Sequence, residues 1–379
     1  MIPLSVPHFS GNEWTYVKEC IDTNWVSSAG RFVDLFEERM ADYLGIEYGV
    51  AVVNGTAAIH LALKLTGVEP GDRVLVPSLT FIASVNPIKY CGAEPVFVEV
   101  NRETWGMDPA AAAAKVEELE AKGQKVKAMI VVHLFGHPVD LDPLVELCRR
   151  HNIWLIEDAT EALGSEYRGK KAGTIGDIGC FSFNGNKLIT TGGGGMLVTR
   201  EQSLAEKARY LSQQAKDDPE NFIHREIGYN YRLTNIQAAL GVAQLEQING
   251  FLKKKKAIAA WYSQELASLD GITLTPEQPW ANNSFWLYSI LVDPLKFGMG
   301  SRELIQYLRR NGVQSRPFFY PVHRLPMYEA CDRTEMKETM LLWEEGVNLP
   351  SSVSLTEEDL HRVVEVIRQA HLESIGAVR

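Results

Sequence analysis

The sequence predicts an α/β protein in two parts: a large domain built on a mostly parallel sheet, and a smaller α+β domain at the C-terminal end. Three observations support this prediction. From about residue 50 onward, short runs rich in Val and Ile alternate with helical stretches. The chain has 379 residues, which is enough for more than one hydrophobic core. Beyond about residue 245 the alternation stops, so we assign residues 1–250 to the large domain and 251–379 to the small one.

The predicted elements of the large domain follow one another as strand and helix. Apolar runs predict seven strands, at residues 49–54, 73–77, 94–100, 127–133, 153–159, 177–183 and 195–199. Helices are predicted at residues 55–67, 80–92, 109–122, 141–152 and 201–215. Asp108 supplies an N-cap for the third helix, Pro109 suits its first turn, and Gly123 ends it. Strands separated by helices favour a parallel sheet covered by helices on both faces.

The C-terminal part shows a different order of elements. A long helical stretch, one strand and two further helices are predicted at residues 238–269, 284–293, 302–311 and 357–374. Four consecutive lysines occupy residues 253–256 within the first of these helices. A run of like charges on a helix is typical of a solvated face, and we prefer that interpretation to a nucleic-acid contact.

Composition narrows the classes of partner. The formal net charge is −10 and the pI is near 5.5, which argues against nucleic acid or an anionic membrane surface as a main partner. No apolar run approaches the length of a transmembrane helix, and the N-terminus lacks the pattern of a signal peptide. We therefore expect a cytoplasmic protein without membrane insertion.

The cysteines predict neither a disulfide framework nor a metal site. They are scattered through the chain without a CxxC pattern, which is typical of buried thiols in a reducing compartment. The five residues are Cys20, Cys91, Cys148, Cys180 and Cys331.

Candidate site residues follow from the sheet itself. Ligands of parallel α/β sheets bind beyond the carboxyl ends of the strands, so the residues after each predicted strand are the first candidates. These candidates are residues 54–56, 77–81, His133, Asp158 and 182–187. Several of them carry groups that bind phosphate or react with carbonyls.

Asp158 and Lys187 are the ionisable candidates with the clearest chemistry. Asp158 ends the apolar run IWLIED, where a carboxylate needs hydrogen-bond donors or a cation. It can cap the following turn, or it can hold a proton on a cationic ring nitrogen. Lys187 lies in SFNGNKLITTGGGG, where partial loss of solvation favours an amine that attacks a carbonyl carbon. The alternative for Lys187 is an ordinary surface charge.

A phosphate site is predicted where the first strand meets its helix. Asn54, Gly55 and Thr56 form a tight turn, and the free backbone N–H groups of a helix N-terminus suit a phosphate. A plain connection without a ligand is the alternative. Ser182 can reach the same phosphate. Phe81 can cover the face of an aromatic ligand, or it can pack in the core.

Together these groups complement pyridoxal 5′-phosphate (PLP). A phosphate cradle, a stacking aromatic, a carboxylate for a ring nitrogen and a lysine for an aldehyde are the parts this cofactor needs. Two other phosphate-binding motifs are missing from the sequence. No GxxxxGK[ST] occurs, since residues 168–176 have the wrong spacing, and the glycines at 192–195 precede a strand rather than a helix.

Three segments resemble a known family: EDATEALGS, TIGDIGCFSFNGNKLITTGGGGMLVT and GYNYRLTNIQAALGVAQLE. They are similar to the DegT/DnrJ/EryC1/StrS family of nucleotide-sugar aminotransferases, and the likeness extends over essentially the whole chain. The closest resemblance is to sugar 4-aminotransferases of the bacillosamine and legionaminic type, with perosamine synthases as near relatives. The resemblance implies a fold-type I, aspartate-aminotransferase-like fold with a seven-stranded sheet, and PLP as cofactor.

The resemblance also implies roles for individual residues. Lys187 matches the lysine that forms a Schiff base, and Asp158 matches the partner of the pyridinium nitrogen. Glu161 matches a position near the ring hydroxyl of the cofactor, where many relatives carry glutamine. Further cofactor contacts are implied for Gly55, Thr56, Ala57 and Ser182 at the phosphate and for Phe81 at the ring. Asn230 matches a residue that reaches the phosphate in the neighbouring subunit, so a homodimer with shared active sites is expected.

The reaction implied is transfer of an amino group from L-glutamate to C4 of an NDP-4-keto-6-deoxyhexose. A UDP-4-keto-6-deoxy-N-acetylhexosamine is the first choice of acceptor, and GDP-4-keto-6-deoxymannose is the alternative. Amination at C3 and a non-catalytic PLP-binding regulator remain open. Arg316, Tyr320 and His323 fall where relatives place substrate-facing residues, although Pro317 and Pro321 also fit a rigid structural turn.

The glycines around Lys187 raise a separate question about the backbone. Gly185 precedes the lysine, and four consecutive glycines follow it at residues 192–195. We expect these residues to let the backbone pass close to the cofactor and to a neighbouring chain, where a side chain would clash.

Overall fold

A computed structural model of the protein describes residues 1–218 and 220–377. The α-helices are α1 (Glu13–Asp22), α2 (Arg31–Leu44), α3 (Gly55–Leu65), α4 (Asn86–Tyr90), α5 (Pro109–Ala121), α6 (Leu141–His151), α7 (Gln202–Ser212), α8 (Asn235–Leu245), α9 (Ile248–Leu266), α10 (Pro294–Phe297), α11 (Ser301–Arg310), α12 (Lys337–Glu345) and α13 (Glu357–Ala377). The strands are β1 (Tyr48–Val52), β2 (Arg73–Pro77), β3 (Glu94–Val98), β4 (Val126–Val132), β5 (Trp154–Asp158), β6 (Glu166–Tyr167), β7 (Lys170–Lys171), β8 (Ile178–Ser182), β9 (Gly195–Thr199), β10 (Lys216–Asp218), β11 (Ile223–His224), β12 (Ile272–Leu274), β13 (Ala281–Asn282), β14 (Tyr288–Val292), β15 (Arg316–Pro317) and β16 (Gly346–Leu349).

A seven-stranded sheet forms the centre of the larger part, in the order β1-β9-β8-β5-β4-β2-β3. The strand pairs from β3 to β8 are parallel, and β9 runs antiparallel to both β8 and β1. The prediction of a mostly parallel seven-stranded sheet is confirmed. The register pairs Val132 with Asp158 and Asp158 with Cys180, so the carboxyl ends of β4, β5 and β8 lie at one edge.

Helices cover both faces of this sheet, and the alternation of side chains along each strand explains why. On β2, Val74 and Val76 pack into a buried cluster that includes Ala58 of α3. Leu75 points the other way and packs with Val116 of α5 in a second buried cluster. A strand buried on both faces reads as an unbroken apolar run, which is the pattern that the sequence shows here.

A four-stranded antiparallel sheet in the order β12-β14-β16-β15 organises the C-terminal part. Its core joins Ile290 of β14 to Tyr262 of α9, Leu304 of α11 and Val363 of α13. The predicted helical stretch 238–269 is wrong as a single element, because α8 ends at Leu245 and α9 begins at Ile248. The predicted boundary after residue 250 falls inside α9, and the division into two domains stays a prediction.

The sequence analysis predicts no element in the first 47 residues, and the structure places α1 and α2 there. Helix α2 buries Phe32, Phe36 and Met40, which are spaced by about one helical turn. It ends at Gly45, whose φ of 67° suits the left-handed cap that glycine adopts without strain. An amphipathic pattern therefore existed in the sequence, outside the strand-and-helix alternation used for the prediction.

The lysine run at residues 253–256 behaves as predicted except at one position. Lys253 and Lys256 are exposed, but Lys255 is buried, so the prediction of a solvated face is wrong for this residue. Position 255 shares a face of α9 with the buried Leu252 and Ala259, three and four residues away. The Lys255 ammonium donates hydrogen bonds to two backbone carbonyls, and burial lowers its pKa to about 7.

Three further observations concern the described chain. All five cysteines are free, which agrees with the expectation of no disulfide framework. None of the helices formed by the described residues combines the length and the apolar composition that crossing a bilayer requires. The predicted N-cap at Asp108 is confirmed, since its carboxylate accepts hydrogen bonds from the amides of Ala110 and Ala111.

Candidate active site

A cavity of about 650 Å³ lies at the carboxyl ends of the parallel strands. Its walls come from the N-terminus of α3, the loop after β8 and the segment around β15, together with Leu4 and Ser5. The predicted site residues that line it are Gly55, Thr56, Phe81, Asp158, Glu161, Ser182, Lys187, Arg316 and Tyr320. Residues from 55 to 187 meet in one site because the strand ends share an edge, and the segment around β15 adds Arg316 and Tyr320.

The turn before α3 is built as an anion cradle. The Asn54 side chain accepts a hydrogen bond from the Ala57 amide at 2.8 Å, and the Asn54 carbonyl accepts the Ala58 amide at 3.2 Å. The amides of Gly55 and Thr56 have no acceptor among the described residues, and they border the cavity. Free N–H groups at a helix N-terminus favour an anion such as a phosphate. Ala57 is buried and lies outside the cavity lining, with its amide already bonded.

Gly195 keeps this cradle in place from the opposite side. A Cβ atom at Gly195 would lie 2.4 Å from the Asn54 carbonyl carbon and 2.7 Å from the Gly55 amide nitrogen. Such contacts with backbone cannot be relieved by a side-chain rotation, so only glycine fits. The need for glycine at this position comes from the protein's own backbone, since β9 packs against the turn that would hold the phosphate.

Gly185 and Gly192 differ from Gly195 in what surrounds them. Nothing lies within 4 Å of a Cβ placed on Gly185, so the described chain imposes no steric need for glycine there. Gly192 has a φ of 81°, a backbone conformation that glycine adopts without strain. The expected closeness of these residues to a cofactor or a neighbouring chain stays a prediction.

Asp158 lies at the end of β5 with 3% of its surface exposed, and its carboxylate borders the cavity. Its Oδ2 atom accepts a hydrogen bond from Ser84 Oγ at 2.6 Å, and its Oδ1 atom accepts the Thr160 amide at 3.1 Å. In the part of the chain that the structure describes, Asp158 forms no ion pair. A buried carboxylate held by neutral donors alone can accept a cation from a ligand.

The sequence analysis missed a hydroxyl group that orients Asp158. Ser84 lies after β2, and its Oγ is 2.7 Å from the Oγ1 atom of Thr80, which is one of the strand-end candidates 77–81. Both residues belong to the segment SLTFIAS, in which a specific role was predicted for Phe81 alone. Hydroxyls are too common in loops to be selected by residue type, and only the fold shows that Ser84 bonds to Asp158 and Thr80 to Ser84.

Lys187 is held in the loop after β8, with 14% of its side chain exposed. Its Nζ atom lies 3.9 Å from the centroid of the Trp286 ring and 3.5 Å from Glu161 Oε1. Trp286, which the sequence analysis also missed, donates from its indole nitrogen to the Asn186 carbonyl at 2.7 Å. An aromatic face on one side and a carboxylate on the other leave the amine directed along the cavity wall.

Glu161 is buried beneath this lysine. Its Oε2 atom accepts a hydrogen bond from the Phe135 amide at 2.9 Å, while its Oε1 atom faces Lys187. Burial raises the pKa of the Glu161 carboxyl, and the nearby negative charge of Asp158 adds to the increase. Lys187 and the Phe135 amide act in the opposite direction.

Phe81 and Ser182 complete the part of the cavity where the ring and phosphate of a cofactor are predicted to lie. Phe81 is 55% exposed despite its apolar ring, and its centroid lies 5.6 Å from that of Phe319. Ser182 ends β8 next to the cradle, since a Cβ placed on Gly55 would lie 3.0 Å from Ser182 Cβ. An exposed aromatic face inside a cavity offers a stacking surface for a ligand ring.

The groups that line the cavity fit the chemistry of PLP. The unpaired amides of Gly55 and Thr56 suit the phosphate, and the carboxylate of Asp158 suits a protonated ring nitrogen. Lys187 reaches the same cavity, so its amine can meet an aldehyde. When bound, this cofactor accepts an amino group and stabilises negative charge on the adjacent carbon.

Besides Ala57, two predicted site residues lie outside the cavity lining. His323 is buried, and its ring nitrogen Nδ1 lies 2.7 Å from Ser78 Oγ. Asn230 is exposed, and its backbone pairs with Gln213. The strand-end candidate His133 also faces the interior, where its Nε2 atom lies 2.9 Å from Glu157 Oε2. The structure does not bring these side chains to Lys187.

Arg316 and Tyr320 occupy the outer wall of the cavity. Arg316 is exposed, and in the described chain its guanidinium makes no hydrogen bond or ion pair. Tyr320 is 45% exposed and packs edge-on against Trp343, with centroids 5.2 Å apart. A free cation at the mouth of a cavity that also contains Lys187 can bind an anionic substrate group.

Fold and site together define the protein class: it is a fold-type I, PLP-dependent aminotransferase. The chain belongs to the DegT/DnrJ/EryC1/StrS aminotransferase family, whose model matches residues 8–368. The resemblance inferred from the three sequence segments is thereby confirmed. The family is one of sugar aminotransferases, so this protein is a nucleotide-sugar aminotransferase.

Individual relatives match nearly the whole chain. The GDP-perosamine synthase of Caulobacter vibrioides is 43% identical, over 97% of this chain and 98% of that protein. The GDP-perosamine synthase of Escherichia coli O157:H7 is 42% identical over the same shares of the two chains. Among solved structures, the aminotransferase TlmJ from Streptoalloteichus hindustanus has a TM-score of 0.92 at 30% identity, covering 99% of this chain and 100% of its own.

Proposed function

We propose that this enzyme transfers the amino group of L-glutamate to C4 of a nucleotide-linked 4-keto-6-deoxyhexose, with GDP-4-keto-6-deoxymannose as the acceptor. The observation that carries the proposal is a cavity lined by both Lys187 and Asp158, a buried carboxylate that forms no ion pair among the described residues. The relatives named GDP-perosamine synthase support the GDP-linked acceptor better than the UDP-linked sugar that the sequence analysis preferred.

Lys187 is assigned the two tasks that need an amine. It would hold the cofactor covalently in the resting enzyme and, once displaced, would move a proton to and from the reacting carbon as a general base and acid. Its position 3.9 Å from the Trp286 ring supports this assignment, because the ring covers one side of the amine and leaves the cavity side open.

Asp158 is assigned to the ring nitrogen of the cofactor. Its two hydrogen bonds, from Ser84 and Thr160, keep the carboxylate directed into the cavity. A negative charge held there keeps the ring protonated, which strengthens its pull on electrons from the reacting carbon. Gly55, Thr56 and Ser182 are assigned to the phosphate.

Arg316 and Tyr320 are assigned to the substrates at the cavity mouth. Glutamate carries carboxylates and a sugar nucleotide carries a diphosphate, so both substrates offer anions to the unpaired guanidinium of Arg316. His323 has less support in this role, because its side chain is buried and bonded to Ser78.

A homodimer is part of the proposal. Asn230 is exposed and lies outside the cavity of its own chain, a position that leaves it free to reach the phosphate in a partner subunit. We place the enzyme in the cytoplasm, since all five cysteines are free thiols.

The test is to incubate the purified protein with ¹⁵N-labelled L-glutamate and a panel of GDP-, UDP- and dTDP-linked 4-keto-6-deoxy sugars. We expect mass spectrometry to find the label in an amino sugar with the GDP-linked acceptor, and NMR of the product to place it at C4. Label in the UDP-linked product alone would instead support the UDP-linked acceptor that the sequence analysis preferred. Label at C3 would change the regiochemistry, and no labelled product with any acceptor would favour a non-catalytic PLP-binding regulator.

A further inference from the structure

The side chain of Glu161 has a contact that the assigned roles leave unexplained. Glu161 lies in the turn after β5 with 5% of its surface exposed, and its Oε1 atom is 3.5 Å from the Lys187 ammonium. No other carboxylate among the described residues forms an ion pair with Lys187. The lysine assigned to carbonyl chemistry therefore has its own buried carboxylate partner.

The orientation of Glu161 is fixed by the backbone at Phe135. The Phe135 amide donates to Oε2 at 2.9 Å, so Oε1 is the atom left for Lys187. Phe135 has a φ of 55°, a strained conformation for a residue with a large side chain. Its ring is held between Phe318 and Phe319, at centroid distances of 4.8 and 5.5 Å. Packing thus maintains a strained amide that aims Glu161 at the lysine.

Asp158 and Glu161 differ in the donors that they face. Asp158 accepts hydrogen bonds at both oxygens, from Ser84 and Thr160. Glu161 has one neutral donor, and its pKa is raised first by burial and then by the charge of Asp158. The charged groups that face Glu161 are Lys187 and Asp158, within the part of the chain that the structure describes.

Lysine must lose a proton before it can attack a carbonyl carbon, and the ammonium here has little contact with water. We propose that the Glu161 carboxylate accepts the proton of the Lys187 ammonium, and that the Glu161 carboxyl later returns it. In the forward step an N–H bond of Lys187 breaks and an O–H bond forms at Glu161 Oε1, leaving a neutral amine and a neutral acid. The exchange needs no other reactant, and a shift of about 0.5 Å brings the two atoms to hydrogen-bond distance.

Internal transfer has a kinetic signature that a structural role lacks. The ion pair and the neutral pair hold the same number of protons, so the reactive amine forms without a net exchange with solvent. The rate at which Lys187 captures an added aldehyde should then vary little between about pH 6.5 and pH 8.5. If Glu161 cannot hold a proton, the amine must lose its proton to water, and the rate should rise about tenfold per pH unit.

The experiment compares the full-length wild-type chain with the Glu161→Gln variant, both in cofactor-free form. PLP is added, covalent capture is followed by absorbance, and borohydride fixes the product on Lys187. Glutamine keeps the shape and an oxygen for the Phe135 amide, so we expect a nearly flat pH profile for wild type and a rising one for the variant. At pH 7 the variant should be slower by about 10-fold or more.

Pyridoxamine 5′-phosphate serves as the matched control, because it fills the same pocket without reacting with Lys187. Its dissociation constant should change less than about threefold in Glu161→Gln, which separates proton transfer from damage to the pocket. A second variant, Glu161→Ala, should capture PLP slowly and regain rate when formate is added as a replacement acid.

Two results would overturn the proposal. One is a Glu161→Gln profile that runs parallel to that of wild type. The other is slow capture in both variants accompanied by equally weakened binding of pyridoxamine 5′-phosphate, which would mark Glu161 as structural. The proposal rests on the assigned role of Lys187 but not on the acceptor sugar, since no nucleotide sugar enters the experiment. A wild-type chain that captures PLP yet aminates no sugar would contradict the proposed function alone.

Discussion

Lys187 and Lys255 both contact Trp286, and they differ in burial, in partners and in access to the cavity. The Nζ atom of Lys187 lies over the indole ring, and that of Lys255 donates to the main-chain carbonyl of the same residue at 2.6 Å. Lys187 faces the cavity and the carboxylate of Glu161. Lys255 is enclosed between α9, the start of β14 and Ser351, with backbone carbonyls as its partners.

The comparison shows that burial of a lysine amine does not by itself make the lysine reactive. Burial lowers the pKa of Lys255 to about 7, so its amine is partly neutral near physiological pH. Lys255 nevertheless lies outside the cavity lining, and no carbonyl substrate can reach it. A nucleophilic lysine therefore needs access and a proton acceptor in addition to partial burial. Lys255 serves to join the segments that carry Trp286 and Ser351.

The largest expected effect comes from removing the amine of Lys187, which has access to the cavity. Lys187→Ala should reduce the rate of ¹⁵N transfer from glutamate by about 10⁴-fold or more, because it removes both the covalent attachment and the proton transfer. The rate is measured by mass spectrometry with saturating cofactor. Borohydride should leave no cofactor attached to the variant.

Lys255→Met provides the contrast for this change. Because Lys255 has no access to substrate, this variant should keep covalent capture of PLP at Lys187. Capture lost in Lys255→Met, or amination retained in Lys187→Ala, would contradict the distinction between the two lysines.

The second prediction concerns the pH dependence of stability. The pKa of Lys255 is about 7 in the folded protein and 10.5 in the absence of burial. Between these values the unfolded chain holds a proton that the folded chain lacks, so the free energy of unfolding rises with pH. Below about pH 7 both states are protonated, and the full cost of burying the charge is present.

Lys255→Met removes this contribution. The stability of wild type minus that of Lys255→Met should therefore increase from about pH 7 to pH 10, by up to about 1.4 kcal/mol per pH unit. Urea unfolding at several pH values measures the difference. Lys253→Met on the exposed face of α9 is the matched control and should run parallel to wild type. Parallel curves for Lys255→Met as well would show that Lys255 does not titrate in this range.

The smallest expected effect comes from a substitution that separates the contact of Trp286 with Lys187 from its contact with Lys255. Trp286→Phe keeps an aromatic ring over Lys187 and the main-chain carbonyl for Lys255, but it removes the indole donor to the Asn186 carbonyl. We expect a loss of about 1 kcal/mol in unfolding free energy and a rate of amination lowered about 10-fold. The rise of stability with pH should match that of wild type. A flattened rise would mean that the Trp286 side chain also governs Lys255.

Much of the fold and part of the site were predictable from the sequence. The apolar runs gave the seven strands of the central sheet, because a parallel strand buried on both faces leaves an unbroken pattern of Val and Ile. Asp158 and Lys187 stood out because ionisable groups directly after such runs are rare unless they have a use. The amphipathic pattern of α2 and the helical spacing that buries Lys255 were also present in the sequence and were overlooked.

Other features had no sequence signal that could select them. Ser84 is an ordinary loop hydroxyl until the fold brings it to Asp158 at hydrogen-bond distance, where Thr80 Oγ1 bonds to the Ser84 hydroxyl in turn. Trp286 lies 99 positions after Lys187, and only the packing of the C-terminal part against the central sheet places its ring over the amine. His323 is the opposite case: its neighbours in the sequence suggested a substrate contact, but in the folded protein its ring is bonded to Ser78.

The sequence by itself determined the order of strands and helices, the cofactor class and the two residues on which the chemistry depends. These follow from local patterns: periodic burial within an element, and the chemistry of side chains at its end. Only the tertiary structure decided that Glu161 faces Lys187, whereas Lys255 is buried and bonded to the main-chain carbonyl of Trp286. The protonation and access of an amine depend on every atom within a few ångströms, and those neighbours come from distant parts of the chain.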